Sequence, residues 1–443
     1  MRKKDGRRGL WLLGALLLIA AALFGVSAAT QPASAAGGAG EIAFVPNPVV
    51  RAGLGLFRPV TVGVLPELSG APAGVPTGAS SSPTAIDLGT LGGSSSFAEA
   101  LNARGQVVGI SDTAVNGASH AFSWTKQGGM ADLGTLGGNF SLAIAVNERG
   151  MAVGDASTAD GSIHASSWTK QGGIVDLGTF GGSVAFANAV SENGQVVGTS
   201  GTPGDVSTHA FSWTKQSGMV DLGTIGGNFS SASEVNGRGQ VVGDTIIVDN
   251  SARTHAFLWT RQGGMVDLGT LGGSTSRASA VNERGEVAGT SSTSGDAATH
   301  AFFWTRKDGM IDLGALGGSI SLASALNERG QAVGLSYLAG DTATHAFSWT
   351  RKGGMVDLGT LGGSSSIAFA VNERGKVVGE SSLAGDTGTH AFSWTRKGGI
   401  VDLGTLGGST SAAFAVNERG EAAGYSSPVG DNPFHATFWK NRG

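Results

Sequence analysis

Residues 357–401 read DLGTLGGSSSIAFAVNERGKVVGESSLAGDTGTHAFSWTRKGGIV, and this stretch decides the fold. Ile367-Ala368-Phe369-Ala370-Val371-Asn372 alternates large and small side chains, the period of two expected of a half-buried strand. Glu373-Arg374-Gly375 is a tight turn, and Lys376 to Ser381 forms a second strand. Leu383 to Thr389 is a polar loop. His390-Ala391-Phe392-Ser393-Trp394-Thr395 alternates again, Lys397-Gly398-Gly399 turns, and Ile400 to Leu403 is a fourth strand. These are strands a to d of one antiparallel unit.

The unit repeats. Asp-Leu-Gly recurs at Asp87, Asp132, Asp176, Asp221, Asp267, Asp312, Asp357 and Asp402, spaced by 45, 44, 45, 46, 45, 45 and 45 residues. A His-Ala pair recurs at His120, His164, His209, His255, His300, His345, His390 and His435. A tryptophan follows each four residues on, at Trp124, Trp168, Trp213, Trp259, Trp304, Trp349, Trp394 and Trp439. Eight four-stranded units with glycine turns predict an all-β, eight-bladed β-propeller, with a β-solenoid as the alternative. The ends of the array favour the ring. The array starts on a lone d-type strand at Ala85 and stops on a c strand at His435, so pairing the two completes the last blade and leaves no open edge. A solenoid would want distinct capping repeats. His, Phe and Trp share one face of strand c and the small residues the other, so neighbouring blades are expected to pack large face on small.

Upstream, Arg2, Lys3, Lys4, Arg7 and Arg8 precede an apolar run from Leu10 to Val26 and two small-residue cleavage patterns. This predicts an export signal over residues 1–36, or a membrane anchor if it is not cleaved. Residues 37–83 read as a Gly/Ala/Pro/Ser-rich linker with a short strand at 59–64, and residues 84–443 as the propeller domain. Losing residues 1–36 would move the formal charge from −4 to −8, which argues against a nucleic-acid binder. The chain has no cysteine, which excludes disulfides, thiol catalysis and thiolate metal sites.

The recurring Asp-Leu-Gly-Thr-Leu-Gly-Gly, Asn-x-x-Gly-x-Val-Val-Gly and His-Ala-Phe-x-Trp blocks over residues 87–439 resemble the extracellular HAF repeat of bacterial proteins. Departures are few: Ser191 for Asn, and Ser166 and Thr437 for Phe. The resemblance implies an extracellular location and carries no established reaction; a secreted or cell-surface protein is expected, with the periplasm as the alternative.

The Asp, His and Trp of each unit are expected to form a structural network, because equivalent positions in eight blades do not converge on one metal or one triad. The Gly-Gly after Thr-Leu lacks the Lys-Ser/Thr end of a phosphate loop. Asp205, Asp296, Asp341, Asp386 and Asp431 in the b–c loops admit calcium, but each loop offers one carboxylate where the ion takes six to eight oxygens. No other cofactor is expected. Asp112, Asp155, Asp160, Asp244 and Glu380 break the repeat, spread over four blades. Residues 312–356 and 357–401 agree at 34 of 45 positions, and this uniformity leads to the expectation of a monomeric, non-enzymatic scaffold that binds an extracellular glycan or anionic cell-wall polymer multivalently. Arg306, Lys307, Arg351, Lys352, Arg396 and Lys397, on the c–d turns, are its candidate partner face. The competing reading is an extracellular polysaccharide hydrolase or lyase on the same fold.

Overall fold

A computed structural model describes residues 85–115, 117–247 and 253–440. The expected signal, the linker and the strand at 59–64 lie outside them. The described chain is an eight-bladed propeller. The first blade runs through Gly92–Leu101, Val107–Thr113, Ser119–Thr125 and Gly129–Asp132, each strand antiparallel to the one before. The seventh repeats this with Gly362–Val371, Val377–Leu383, Thr389–Thr395 and Gly399–Asp402. Strand a therefore begins in the Gly-Gly link, five residues before the alternating stretch that announces it.

The a strands touch one another all the way round, that of the eighth blade (Gly407–Val416) meeting that of the first. They are the inner wall. The d strands form the rim, where Val175, Val220, Val266, Val356 and Val401 are exposed.

The seam is closed as the sequence predicts. Ala85, Ile86 and Asp87 pair antiparallel with Trp439, Phe438 and Thr437. The Leu88 amide donates to the Ala436 carbonyl at 2.9 Å, and the Ala436 amide donates to Ser96 Oγ at 2.8 Å. Ala98, Val107 and Phe122 of the first blade pack on Ala423, Ala436, Phe438 and Leu88 of the eighth.

Each blade boundary is a small core of its own. Ala368, Val377 and Phe392 of the seventh blade meet Val333, Ala346 and Leu358 of the sixth, a large face on a small one. Phe392 is fully buried, and burial of such a side chain contributes ~2–3 kcal/mol. Two polar devices add to this. A serine on strand a accepts the amide of the preceding blade's strand c and donates to a link carbonyl, as Ser366 does with Ala346 and Gly359 at 2.8 and 2.6 Å. At the a–b turns an asparagine side chain donates to the backbone of the next blade, from Asn102 to Asn147 and finally from Asn417 back to Asn102. Where Ser191 interrupts this belt, Asn193 donates to Gly237 at 2.7 Å in its place.

One local feature departs from simple alternation. Ala368 faces Gly379 and Ala370 faces Val378, so Phe369 is an extra residue in a β-bulge. Ala368 and Ala370 consequently serve opposite blade boundaries instead of sharing a face. The glycine opposite the bulge is required by close approach: a Cβ on Gly379 would lie 1.8 Å from the Ile367 carbonyl oxygen. The same register shift occurs in every blade.

Candidate functional site: the axial layer

The recurring Asp and His do come together. His300 Nδ1 lies 2.9 Å from Asp312, and the Asp312 carboxylate also accepts the Gly314 amide at 2.7 Å. His120–Asp132, His164–Asp176, His209–Asp221, His255–Asp267, His345–Asp357 and His390–Asp402 repeat the contact at 2.8–2.9 Å. His435–Asp87 makes it across the seam at 2.8 Å. Each pair ties the start of strand c to the end of strand d. The tryptophan is not part of this set. Trp304 sits at the other end of strand c, paired with Met310, about four strand residues or ~13 Å from the histidine.

The b–c loop aspartates are also spent within their own blades. Asp341 has φ +56° and accepts the Ser319 amide and hydroxyl at 2.7 Å. These bonds hold its carboxyl below the usual carboxylate range, as similar bonds do for Asp296, Asp386 and Asp431. Asp112 accepts the Ser95 amide and the Ser119 hydroxyl, and Asp160 accepts the Ser162 amide.

Arg306, Lys307, Arg351, Lys352, Arg396 and Lys397 are exposed on the turns between strands c and d. Arg351 is engaged between blades, bonded to Asp308 at 2.9 Å and lying over the Phe303 ring. The a–b-turn glutamates are likewise staples: Glu328 accepts the Glu283 amide and Glu373 accepts the Glu328 amide.

The eightfold pattern breaks along the axis. The bulge turns one residue per strand a away from both blade boundaries: Glu99, Ile144, Asn188, Ser233, Ser279, Ser324, Phe369 and Phe414. All eight lie on the inner strands and all are half-buried, so solvent reaches them along the axis. Next to them stands a second variable register on strand b: Ile110, Asp155, Thr199, Asp244, Thr290, Leu335, Glu380 and Tyr425. Three acids that the sequence scatters over different blades, Asp155, Asp244 and Glu380, thus occupy one ring.

Members of this second register reach the next blade. Asp155 accepts the Ala187 amide at 3.0 Å, Thr199 bonds Ser231 at 2.8 Å, and Asp244 lies 3.7 Å from Arg277. Desolvation pushes the carboxyls of Glu99 and Asp155 up to about 8, and those of Glu234 and Glu380 up to about 7. Asp244 is raised for the same reason, with Arg277 opposing the shift. Near neutral pH the layer therefore holds carboxyl groups able to give or take a proton. Glu99 and Glu234 escape sequence reading because single acids on an apolar strand carry no motif. Comparing the eight copies position by position would have found the two registers.

The chain matches no family model and no curated protein. Among solved structures it is similar to the β-propeller domain of the Trilobed protease from Pyrococcus furiosus, at 10% identity over 71% of this chain and 99% of that one, TM-score 0.49. It is also similar to the acylaminoacyl peptidase of Pyrococcus horikoshii, at 10% identity over 70% and 52% of the two chains, TM-score 0.44. A gluconolactonase from Xanthomonas campestris matches at 12% identity over 70% and 86%, TM-score 0.31. The expectation of a non-enzymatic scaffold is corrected here. The uniformity behind the expectation ends at the axis, where no two neighbouring blades present the same pair of residues at the two variable registers.

Proposed function

We propose that the protein is a hydrolase that works on the ring axis, with axial carboxyl groups as proton donor and acceptor and a small, uncharged, hydroxyl-rich substrate. The observation that carries this reading is the concentration of unlike residues in the axial layer. One catalytic centre needs unlike groups converging from several blades, and the inner strands bring such groups together. Glu99 and Glu380 are half-buried there and remain protonatable near neutrality. A carboxylic acid of this kind protonates the leaving oxygen of an ester, lactone or glycoside, while a carboxylate takes the proton from the attacking water. Ser233, Ser279 and Ser324 line the same register and supply partners for substrate hydroxyls. Export through residues 1–36, and so an extracellular substrate, belongs to this proposal.

The test is product release by the full chain from a panel of chromogenic esters, lactones and glycosides. Glu99→Gln and Glu380→Gln are compared with the parent, with Glu234→Gln, at a blade-boundary register, as the control. Loss of a general acid costs about a hundredfold or more in rate, so at least one variant is expected to fall by that amount. Absence of release across the panel, or equal rates in all three variants, discards the hydrolytic reading.

A further inference from the structure

Five aromatic rings from three consecutive blades meet in one corner of the axial layer. Phe369 of the seventh blade meets Phe414 of the eighth edge to face at 5.2 Å between ring centres. Phe414 meets Tyr425 at 5.6 Å, Tyr425 meets Phe434 at 5.2 Å, and Phe97 of the first blade meets Tyr425 at 5.5 Å. Ordinary core packing does not require them. Where Phe414 stands, the fifth and sixth blades carry Ser279 and Ser324 in the same fold, and where Phe434 stands, most blades carry threonine. Only the eighth blade has an aromatic residue at the Tyr425 position, and Ala412 opposite it is the smallest residue in its register, which makes room for the ring. The eighth blade has thus exchanged three separate positions for aromatics, with Tyr425 in contact with both of the others.

Tyr425 and Phe97 are buried, whereas Phe369 and Phe414 are half-buried on the inner strands and present ring surface to the axis. Two carboxyl groups flank this surface. Glu380 lies on the strand b paired with Phe369's strand, close enough to Tyr425 that its charge adds to burial in holding the phenol's proton on. Glu99 follows Phe414 at the same register in ring order. An apolar wall beside hydrogen-bonding carboxyls matches a molecule with one C–H-rich face and hydroxyls at its edge. A pyranose ring has that form; an open-chain polyol of equal hydroxyl content has no such face.

We infer that Phe369 and Phe414, backed by Tyr425, form a binding subsite for the apolar face of a pyranose sugar, with Glu380 and Glu99 placed at its hydroxyl edge. This rests on the axial location proposed above and names the substrate class.

The experiment is calorimetric titration of the full chain with methyl β-D-glucopyranoside and with sorbitol, together with Phe369→Ser and Phe414→Ser. Serine at this register already occurs in three blades, so the variants are expected to fold, and thermal melts check it. The pyranoside is expected to bind more tightly than sorbitol, and each substitution to weaken it by about tenfold while leaving sorbitol unchanged. Equal affinity for the two ligands, no binding of either, or a pyranoside affinity indifferent to both substitutions overturns the subsite. Phe414-dependent binding without turnover of any glycoside keeps the subsite and removes the hydrolase; turnover indifferent to Phe414→Ser does the reverse.

Discussion

Asp155→Asn isolates the cost of placing an acid between the second and third blades. The side chain is 7% exposed, and its one bond in the structure is from the Ala187 amide. Burial raises its carboxyl to about 8, whereas an unfolded aspartate titrates near the ordinary value of ~4. Between those limits the folded protein holds a proton that the unfolded chain has released. Stability from this group is therefore fully present below about pH 4, falls as pH rises, and levels off above about pH 8. One proton corresponds to a slope of about −1.4 kcal/mol per pH unit, or ~4 kcal/mol lost between pH 4 and pH 7. Asparagine keeps the oxygen that accepts from Ala187 and does not titrate. Its advantage over the parent should thus grow by about 1.4 kcal/mol for each unit from pH 5 to pH 7. Urea unfolding at both pH values measures it. Parallel pH dependence in the two proteins would mean that the acid is ionised in the fold, and the desolvation argument fails.

Three further outcomes follow from the same geometry. Gly379→Ala should destabilise by about 3 kcal/mol or more, since its Cβ meets backbone that cannot give way; thermal melting reads this, and a neutral result refutes the need for glycine opposite the bulge. Asp87→Ala and His435→Ala should each cost little and should not add, with a coupling of about 0.5–1 kcal/mol in a double-mutant cycle, because the pair is partly solvent-screened; additive losses would show that it is not an interaction. Product release, where found, should decline above about pH 7 as Glu380 loses its proton, and a rate that keeps rising to pH 9 argues against it as the acid.

The sequence made the architecture readable because each element repeats with its own period. Alternation around Phe392, the glycine turns and the displaced start at Ala85 led to blade, ring and seam. The bulge was not readable. Ile367 to Asn372 alternates without a flaw, and the one trace of the bulge in the sequence is Gly379 on the facing strand, where any side chain would meet the Ile367 carbonyl. That one-residue shift moves Phe369 from the blade boundary to the axis. The repetition that revealed the fold also drew attention to what the copies share, such as His300 and Asp312, which turn out to hold strands together. Glu99, Glu380 and Tyr425 lie where the copies differ, and a consensus discards such positions.

The seam between Ala85–Asp87 and His435–Trp439 joins segments some 350 residues apart in the chain. In an unstructured chain, closing so long a loop has a large entropic cost that grows with the logarithm of its length. Once the intervening blades are stacked, the two ends already face each other, and the last contact forms almost as a local one. The reverse also holds. Ala85–Asp87 is the shortest strand among the described residues, so slow amide exchange at Val378 or Phe392 should coexist with fast exchange at Ile86, and the ring should breathe by unfastening at this point before any blade unfolds. Ligand entry to the axis then need not pass the turns at either end: a momentarily parted first and eighth blade opens a side entrance directly beside Phe97, Tyr425 and Phe434.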